Sequence, residues 1–287
     1  MSKLKHGRLR PALVVPVAVL GLMASAVVPA SAERTGKEGL GGMARAAAYA
    51  LDVDVDLVGG VPLDVGPVSR IRISGEAGPR FENLAKVEVP PLLEALLLAT
   101  GAETNLGGDL SSKASARVAT VKLKLLGELL IKVLKSECHI TRDAIEVASD
   151  VVFADGTVLG IDVDPVSLTT RPNSQVEIPT IGTLILNEQK IEKETSGKNG
   201  RVTVTVNALR LELDGILGKG DITISQSMCK LKGKDVGKNL KIVSVTNGKD
   251  TSGDVHDGGD DVLGGLLGGS DNGLLNATNL LGGSLLG

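Results

Sequence analysis

The stretch Ala50-Leu51-Asp52-Val53-Asp54-Val55-Asp56-Leu57 alternates apolar and acidic side chains. Because successive side chains of a β-strand point to opposite faces, Val53, Val55 and Leu57 share one face and the aspartates share the other. This period of two predicts a strand with one buried and one solvated face. The same alternation recurs in three later stretches: Val121–Leu125, Arg201–Val206 and Asp221–Ser225.

Clusters of turn-forming residues separate the predicted strands. They lie at Gly59-Gly60, Gly66-Pro67, Gly75–Pro79, Asp155-Gly156, Asn173 and Gly197–Gly200. The Asp155-Gly156 pair stands between Val151–Phe153 and Thr157–Leu159, and it predicts a hairpin there. A single helix is predicted over Pro91–Thr100, because this segment begins on a proline and stops at Gly101.

Many short strands without alternating long helices predict an all-β protein. The expected architecture is an antiparallel β-sandwich-like domain with one short helix. The chain contains no Trp, one Tyr and two Phe. Its core must therefore be packed from Val, Leu, Ile and Ala, without the large contact areas that aromatic side chains supply.

Residues 1–32 have the three-part order of a secretory signal peptide. Four basic residues precede an apolar run over 12–28, and Ala30-Ser31-Ala32 places small side chains at the cleavage site. We predict cleavage between Ala32 and Glu33 and a secreted, extracellular protein, with cell-wall association left open. The alternative is an uncleaved membrane anchor, for which roughly 20 apolar residues are needed and the run is near the short end.

Charge argues against a nucleic-acid partner. The predicted signal removes four of the 31 Lys and Arg and none of the 34 Asp and Glu, which leaves 27 against 34, or −7. Nucleic-acid binding needs clustered basic residues, and this mature chain is mildly acidic. No second apolar stretch is long enough to span a bilayer, so no transmembrane anchor is expected in the mature chain.

Two cysteines, Cys138 and Cys229, are present. In an exported protein that contains a single pair, a disulfide between them is the expected state. The alternative is a nucleophilic thiol assisted by His139, which follows Cys138 directly. Neighbouring side chains on a strand point to opposite faces, so adjacency is a weak argument for that pairing.

No catalytic signature emerges from the sequence, since the motifs G-x-S-x-G, H-E-x-x-H and C-x-x-C are all absent. The histidines of the predicted mature chain are His139 and His256. No cofactor is predicted, and calcium is the one metal that the composition favours, because it prefers carboxylate oxygens. The candidate ligands are Asp52, Asp54, Asp56, Asp162, Asp164, Asp254, Asp257, Asp260 and Asp261. None has the spacing of an EF-hand, and an acidic strand face is usually a solvated one.

The composition changes near the C-terminus, where an acidic, Gly-rich run is followed by repeated Leu-Leu-Gly-Gly. Such glycine density opposes helix formation and favours a flexible tail. We therefore divide the chain into a signal peptide over 1–32, a flexible mature N-terminus over 33–45, a β-rich domain over 46–248 and a disordered tail over 249–287. The paired leucines of the tail favour self-association or adhesion to an envelope component.

Several short segments, taken in order, resemble the choice-of-anchor P family of secreted actinobacterial proteins. They are Ala48–Leu51, Gly66–Val68, Ala114–Val118, Ser136–Cys138, Pro172-Asn173, Leu186–Gln189, Val206–Leu209 and Asp221–Cys229. The resemblance implies an exported, envelope-associated, β-rich domain, and it carries no catalytic residues. The chain lacks the L-P-x-T-G sorting motif that would attach it covalently to a cell wall.

These observations predict a secreted, non-enzymatic structural or binding protein of the cell surface or extracellular space. The alternative is a secreted hydrolase or enzyme inhibitor that acts through polar loops, with Asp162, Asp164 and His139 converging in a pocket.

Overall fold

A computed structural model describes residues 42–252, apart from 76, 125–128, 154–156, 159–160, 163–170 and 197. The predicted signal peptide with its Ala32/Glu33 cleavage site, and nearly all of the predicted tail, lie outside the described residues. Fifteen strands occur in the described part: β1 Met43–Leu57, β2 Val61–Ser74, β3 Gly78–Val89, β4 Leu93–Asn105, β5 Ser111–Leu123, β6 Leu129–Ile140, β7 Ala144–Phe153, β8 Thr157–Val158, β9 Ile161–Asp162, β10 Ser174–Ile178, β11 Gly182–Ser196, β12 Asn199–Gly215, β13 Gly218–Lys234, β14 Lys241–Thr246 and β15 Lys249–Asp250.

The strands form two large sheets. Sheet A has the order β10-β11-β12-β13-β1-β2, and sheet B has the order β15-β14-β7-β6-β5-β4-β3. Neighbouring strands are antiparallel except for β14, which pairs parallel to β7. The strand pair β8-β9 stands apart from both sheets.

The two sheets pack face to face with their strands in the same order. β1 contacts β4 and β5, β13 contacts β5 and β6, and β12 contacts β6 and β7. The prediction of an all-β, sandwich-like fold is confirmed. In β1, Val53 and Val55 are buried and Asp54 and Asp56 are exposed, as their alternation predicts.

The interior is divided into two apolar clusters. The disulfide core surrounds Cys138 and Cys229 and is packed with small side chains, among them Ala44, Ala46, Ala48, Ala114 and Ala116. The leucine core fills the other end of the sandwich and contains Leu51, Leu93, Leu98, Leu123, Leu134, Leu209 and Leu211. Aliphatic side chains thus provide the packing that the few aromatic residues of this chain cannot provide.

A row of matching positions crosses sheet A where the two cores meet. Ser69, Ala50, Ser225, Ala208 and Asn187 lie side by side on β2, β1, β13, β12 and β11. Alternate members have a left-handed backbone, with φ of 49° at Ser69, 58° at Ser225 and 53° at Asn187. We call this line the bulge row, because it interrupts strand alternation as a β-bulge does.

The bulge row shifts the inward-facing set of residues by one position. On β1, Ala48 and Ala50 face the interior before the row, and Leu51 and Val53 face it afterwards. A break in the two-residue alternation of apolar side chains therefore marks the bulge row here, and not the end of a strand.

The helix predicted over Pro91–Thr100 is wrong. Pro90 and Pro91, joined by a cis peptide bond, form the turn between β3 and β4, and Leu92 N–H donates to Val89 C=O at 2.7 Å. The segment that follows is β4, the strand of sheet B that lies between the edge strand β3 and β5. Its apolar run looks helical because the irregularity at Leu97, whose φ is 52°, places leucines on both faces.

The hairpin predicted at Asp155-Gly156 also differs from the structure. β8 pairs with β9 in its own small sheet, whereas β7 pairs with β6 and β14. The apolar flanks of Asp155-Gly156 therefore belong to two different sheets. Among the described residues, no helix has the length and apolar character needed to cross a bilayer.

Candidate functional site

Cys138 and Cys229 form a disulfide with a Cα–Cα distance of 6.0 Å, as the sequence predicts. The bridge joins β6 of sheet B to β13 of sheet A and is buried within the disulfide core. Neither cysteine is a free thiol, so the alternative of a nucleophilic cysteine is wrong.

His139 lies on the opposite face of β6 from Cys138. Its Nδ1 is 3.1 Å from the Glu146 carboxylate across the neighbouring strand β7. Both side chains belong to the outer face of sheet B, where the imidazole forms an ordinary surface pair. The side chain of Asp162 and the whole of Asp164 lie outside the described residues, so the predicted pocket with His139 stays a prediction.

The three aspartates of β1 lie on the outer face of sheet A. Asp54 and Asp56 are exposed and Asp52 is half-buried. Burial raises the pKa of Asp52, and the carboxylates of Asp64 and Asp54 raise it further. Among the described residues, no three His, Cys, Asp or Glu side chains converge as metal ligands would.

The predicted calcium ligands of the tail, Asp254, Asp257, Asp260 and Asp261, lie outside the described residues. Calcium binding there remains a prediction.

Polar residues near the bulge row join the two sheets inside the sandwich. Ser225 Oγ donates to Ala116 C=O at 2.9 Å, and Ser149 Oγ donates to Asn187 Oδ1 at 2.9 Å. Gln189 Oε1 accepts from Ser244 Oγ at 2.8 Å. These buried groups satisfy one another, so we assign them a structural role.

A polar cluster lies on the outer face of sheet A along the same row. Arg210 contacts Asp221 at 3.0 Å, Glu212 at 3.0 Å and Glu188 at 3.4 Å. Burial of the guanidinium opposes its charge, but these three carboxylates outweigh it and raise the Arg210 pKa. Because three carboxylates already neutralise its charge, Arg210 stabilises the strand face and has little charge left to attract a ligand.

Tyr49, beside this cluster, is held in its neutral form. Burial raises its pKa above the ordinary value, and the Asp52 carboxylate adds to the effect. A phenol with a raised pKa is a poor general base at neutral pH.

The outer face of sheet B contains a shallow cleft of about 330 Å³. That volume is at the lower end of the range of roughly 300–1,000 Å³ for small-molecule sites. Its lining includes Phe81, Asn83, Ala99, Gly101, Ser115, Arg117, Lys135 and Glu137.

Two adjacent register rows build this cleft. Phe81, Gly101, Ser115 and Glu137 face one another across β3, β4, β5 and β6. The next outward-facing row along the strands contains Asn83, Ala99, Arg117 and Lys135 in the same order. The side chains on β4 are the smallest, so the floor of the cleft is low between walls formed by β3 and β6.

Phe81 forms the apolar wall and is 76% exposed. Gly101 lies directly opposite, and a Cβ added there would be 3.1 Å from two atoms of the Phe81 ring. The glycine thus lets the ring lean over β4 while its other side stays open to solvent. The chain has few aromatic residues, and the exposed Phe81 contributes little of the stabilisation that a buried aromatic ring would give.

The opposite wall is polar and carries positive charge. Lys135 Nζ is 3.0 Å from the Glu137 carboxylate. Arg117 has no ion pair with another described residue, so its charge is available to a ligand. The cleft therefore combines one apolar ring, a floor of small residues and a rim of hydrogen-bonding groups.

The sequence contains little indication of this cleft. Phe81 stands in the polar run Arg80–Asn83, and most of its cleft neighbours come from the three strands that follow β3 in the chain. The usable signal is that one of so few aromatic residues lies where strand alternation would place a solvent-facing side chain.

Comparisons with protein-family models, with curated proteins and with solved structures find no match for this chain. Its function must therefore be inferred from its own residues.

Proposed function

We propose that this protein is an exported, non-enzymatic surface protein that binds a polysaccharide in the cleft on the outer face of sheet B. Export is supported by the basic, apolar and small-residue order of 1–32 and by the buried disulfide, which forms in oxidising compartments. The observation that carries the binding proposal is the exposed ring of Phe81 above a floor without large side chains.

The chemistry of the cleft suits a sugar. A pyranose presents an apolar face of C–H groups, which packs flat against an aromatic ring, and a rim of hydroxyls that need hydrogen-bond partners. Phe81 offers the ring, and Asn83, Ser115 and Glu137 offer donors and acceptors around it. The guanidinium of Arg117 further favours sugars that carry a carboxylate or phosphate.

An open cleft on a sheet face suits a chain that continues beyond the site at both ends. Ligand affinity would come from a few contacts per sugar and from repeated binding along the polymer. Such binding retains an exported protein at an envelope without any covalent anchor.

A cosedimentation assay with isolated cell walls tests the binding. We expect the wild-type protein to pellet with walls, and Phe81→Leu, which keeps apolar bulk but loses the ring, to remain in the supernatant. Phe81→Tyr should still pellet. Val152→Ala is the matched control, because Val152 is another exposed apolar residue of sheet B, 47% exposed and outside the cleft.

Periodate treatment of the walls separates a glycan from other ligands, because it cleaves sugar diols and leaves peptide bonds intact. Loss of binding after periodate supports a polysaccharide. Equal pelleting of wild type and Phe81→Leu would refute the role of the ring. Retention on periodate-treated walls would refute a polysaccharide with vicinal hydroxyls as the ligand.

The tail can contribute to retention independently. Thr251 is buried and its hydroxyl is 2.8 Å from Ser244 Oγ, so a truncation must keep the segment through Ser252. Removing 253–287 should release the protein from cells without lowering its thermal stability, if the paired leucines adhere to the envelope. Equal partitioning of the full-length and truncated proteins would argue against that role.

A further inference from the structure

The outer face of sheet A is divided by charge along the bulge row. On one side, which we call the basic half, lie Arg45, Arg72, Arg201, Lys230 and Lys232. On the other side, the acidic half, lie Asp52, Asp54, Asp64, Glu212, Asp214 and Asp221. Between them runs a row of register partners, Arg70, Tyr49, Gln226, Asn207 and Glu188. Its three inner members carry no formal charge while Tyr49 is neutral, and the charged Arg70 and Glu188 lie at its two ends.

Some of these charges are already matched within the chain. Arg201 contacts Glu194 at 2.9 Å, Lys219 contacts Asp214 at 3.2 Å, and Arg210 contacts both Asp221 and Glu212 at 3.0 Å. Arg45 and Asp54, in contrast, form no ion pair with another described residue. The Nε atoms of Arg45 and Arg201 are buried and have no hydrogen-bond partner within the described part of the chain.

The basic and acidic halves carry opposite charges at matching distances from the middle of the face. Arg45 and Lys230 are register partners in one row, and Asp54 and Asp221 are register partners in another. Both rows lie the same number of residues from the middle of the face, between Tyr49 and Ala50. With about 3.3 Å per residue, each row is roughly 15 Å from that midline.

We propose that this face binds a second copy of the same chain. A two-fold axis lying in the face, parallel to the row of Tyr49, Gln226 and Asn207 and midway between it and the bulge row, reverses the strands and places each basic half over the partner's acidic half. Arg45 then faces Asp54 of the second copy, and Lys230 faces its Asp221. Two-fold symmetry repeats each contact, which is the usual form of a self-complementary dimer.

The area next to the axis suits close approach. Ala47 and Met228 are register partners one outward-facing row from Tyr49, and Met228 is one of the few large apolar side chains that sheet A exposes. Small and apolar groups at the centre, surrounded by complementary charges, match the general arrangement of a specific interface. Because the contacts depend on charge, the association must weaken as ionic strength rises.

This inference does not rest on polysaccharide binding, which uses the opposite face of the molecule. Stacking two copies through sheet A leaves both clefts of sheet B open, so either proposal can fail without the other.

Sedimentation velocity on the full mature chain at low and high salt measures the association. We expect a dimer at low salt that dissociates as salt is raised. Arg45→Asp and Asp54→Arg, each tested alone, turn two symmetric attractions into repulsions and should each raise the dissociation constant roughly tenfold or more. Lys113→Asp is the control, since it reverses a charge on the outer face of sheet B.

Mixing the two single variants gives the decisive result. In a mixed pair, the aspartate introduced at position 45 of one copy faces the arginine introduced at position 54 of the other. The second symmetric contact keeps its native Arg45 and Asp54, so both contacts are attractive and the dimer should return. Failure of the mixture to dimerise would overturn the arrangement. A wild-type chain that is monomeric at low salt, or an association that survives both reversals, would overturn the proposal itself.

Discussion

The disulfide gives the most direct test of how the sandwich is stabilised. Cys138 and Cys229 are separated by 91 residues, so the bridge closes a long loop in the unfolded chain. The loop-entropy relation for that length gives roughly 4–5 kcal/mol at 25 °C. Replacing both residues, as in Cys138→Ala/Cys229→Ala, should lower the free energy of unfolding by about that amount, with a smaller addition for the lost sulfur contacts.

Such a loss is large compared with the roughly 5–15 kcal/mol that stabilises most domains. Urea denaturation followed by circular dichroism measures it. With an m-value of about 2–3 kcal/mol/M, the midpoint should fall by roughly 1.3–2.5 M. Alanine is the appropriate replacement because a serine at position 229 could donate a new hydrogen bond to Cys138 C=O, which lies 2.9 Å from Cys229 Sγ.

Two comparisons isolate the contribution of the bridge. Wild-type protein unfolded in the presence of a thiol reductant should match the double variant. Val204→Ala removes apolar volume beside Cys229 on the neighbouring strand and should cost about 1–3 kcal/mol, without changing the loop. A loss below about 1 kcal/mol in the double variant would refute the reasoning, because the link between the sheets would then restrict the unfolded chain very little.

Three further predictions concern single side chains. Asp52→Asn should raise the thermal stability at pH 7, because the raised pKa of Asp52 means that its charged form destabilises the fold. This gain in stability should shrink as pH falls through the raised pKa. It should vanish below the pKa that Asp52 has in the unfolded chain, because Asp52 is then protonated in both states. Asn187→Ala should cost about 2–4 kcal/mol in chemical denaturation, since it leaves the Ser149 hydroxyl without its acceptor and places alanine in a left-handed backbone, whereas Asn187→Gly should cost less by the backbone part. Arg117→Gln should weaken binding to acidic polysaccharides in affinity electrophoresis and leave binding to neutral ones unchanged; equal weakening of both would show that Arg117 does not recognise charge.

Strand alternation in the sequence predicts the fold class because each large sheet has one buried and one solvated face. The cysteine count predicts the disulfide because a single cysteine pair, in a chain with a predicted export signal, leaves few alternatives. Periodicity misplaces the segment Pro91–Thr100, because a strand whose alternation shifts at Leu97 carries apolar residues at both parities and imitates a helix. Only the register of β3, β4 and β5 shows why those leucines lie where they do.

The cleft is beyond sequence reasoning for a different reason. Phe81, Gly101 and Ser115 carry no motif, and their meaning comes from being neighbours across three strands. The same holds for Arg45 and Asp54, whose equal distances from the midline of sheet A depend on the position of the bulge row. Periodicity predicts which face a residue occupies, but it does not predict which residues of other strands lie beside it.

The bulge row is where several of the segments behind the predicted family resemblance lie. Ala48–Leu51, Leu186–Gln189 and Val206–Leu209 each cross it, and Asp221–Cys229 crosses it at Ser225. They provide the alanines, serines and amides that allow the strands to change phase together and join the sheets. In this chain, these segments therefore help to divide the sandwich into its two cores.

The residues to which we assign binding lie partly inside those segments, as Ser115, Arg117 and Glu137 of the cleft do, and partly outside them. Phe81 and Arg45 belong to none of them, so a chain could keep the scaffold and change what each outer face recognises. If both proposals hold, a dimer stacked through sheet A presents two clefts on opposite sides of one particle. Such a particle can bind two polysaccharide strands at once, and the second binding event then occurs at high effective concentration. Weak individual clefts would then suffice to cross-link an envelope polymer, which would account for a shallow site with a single ring.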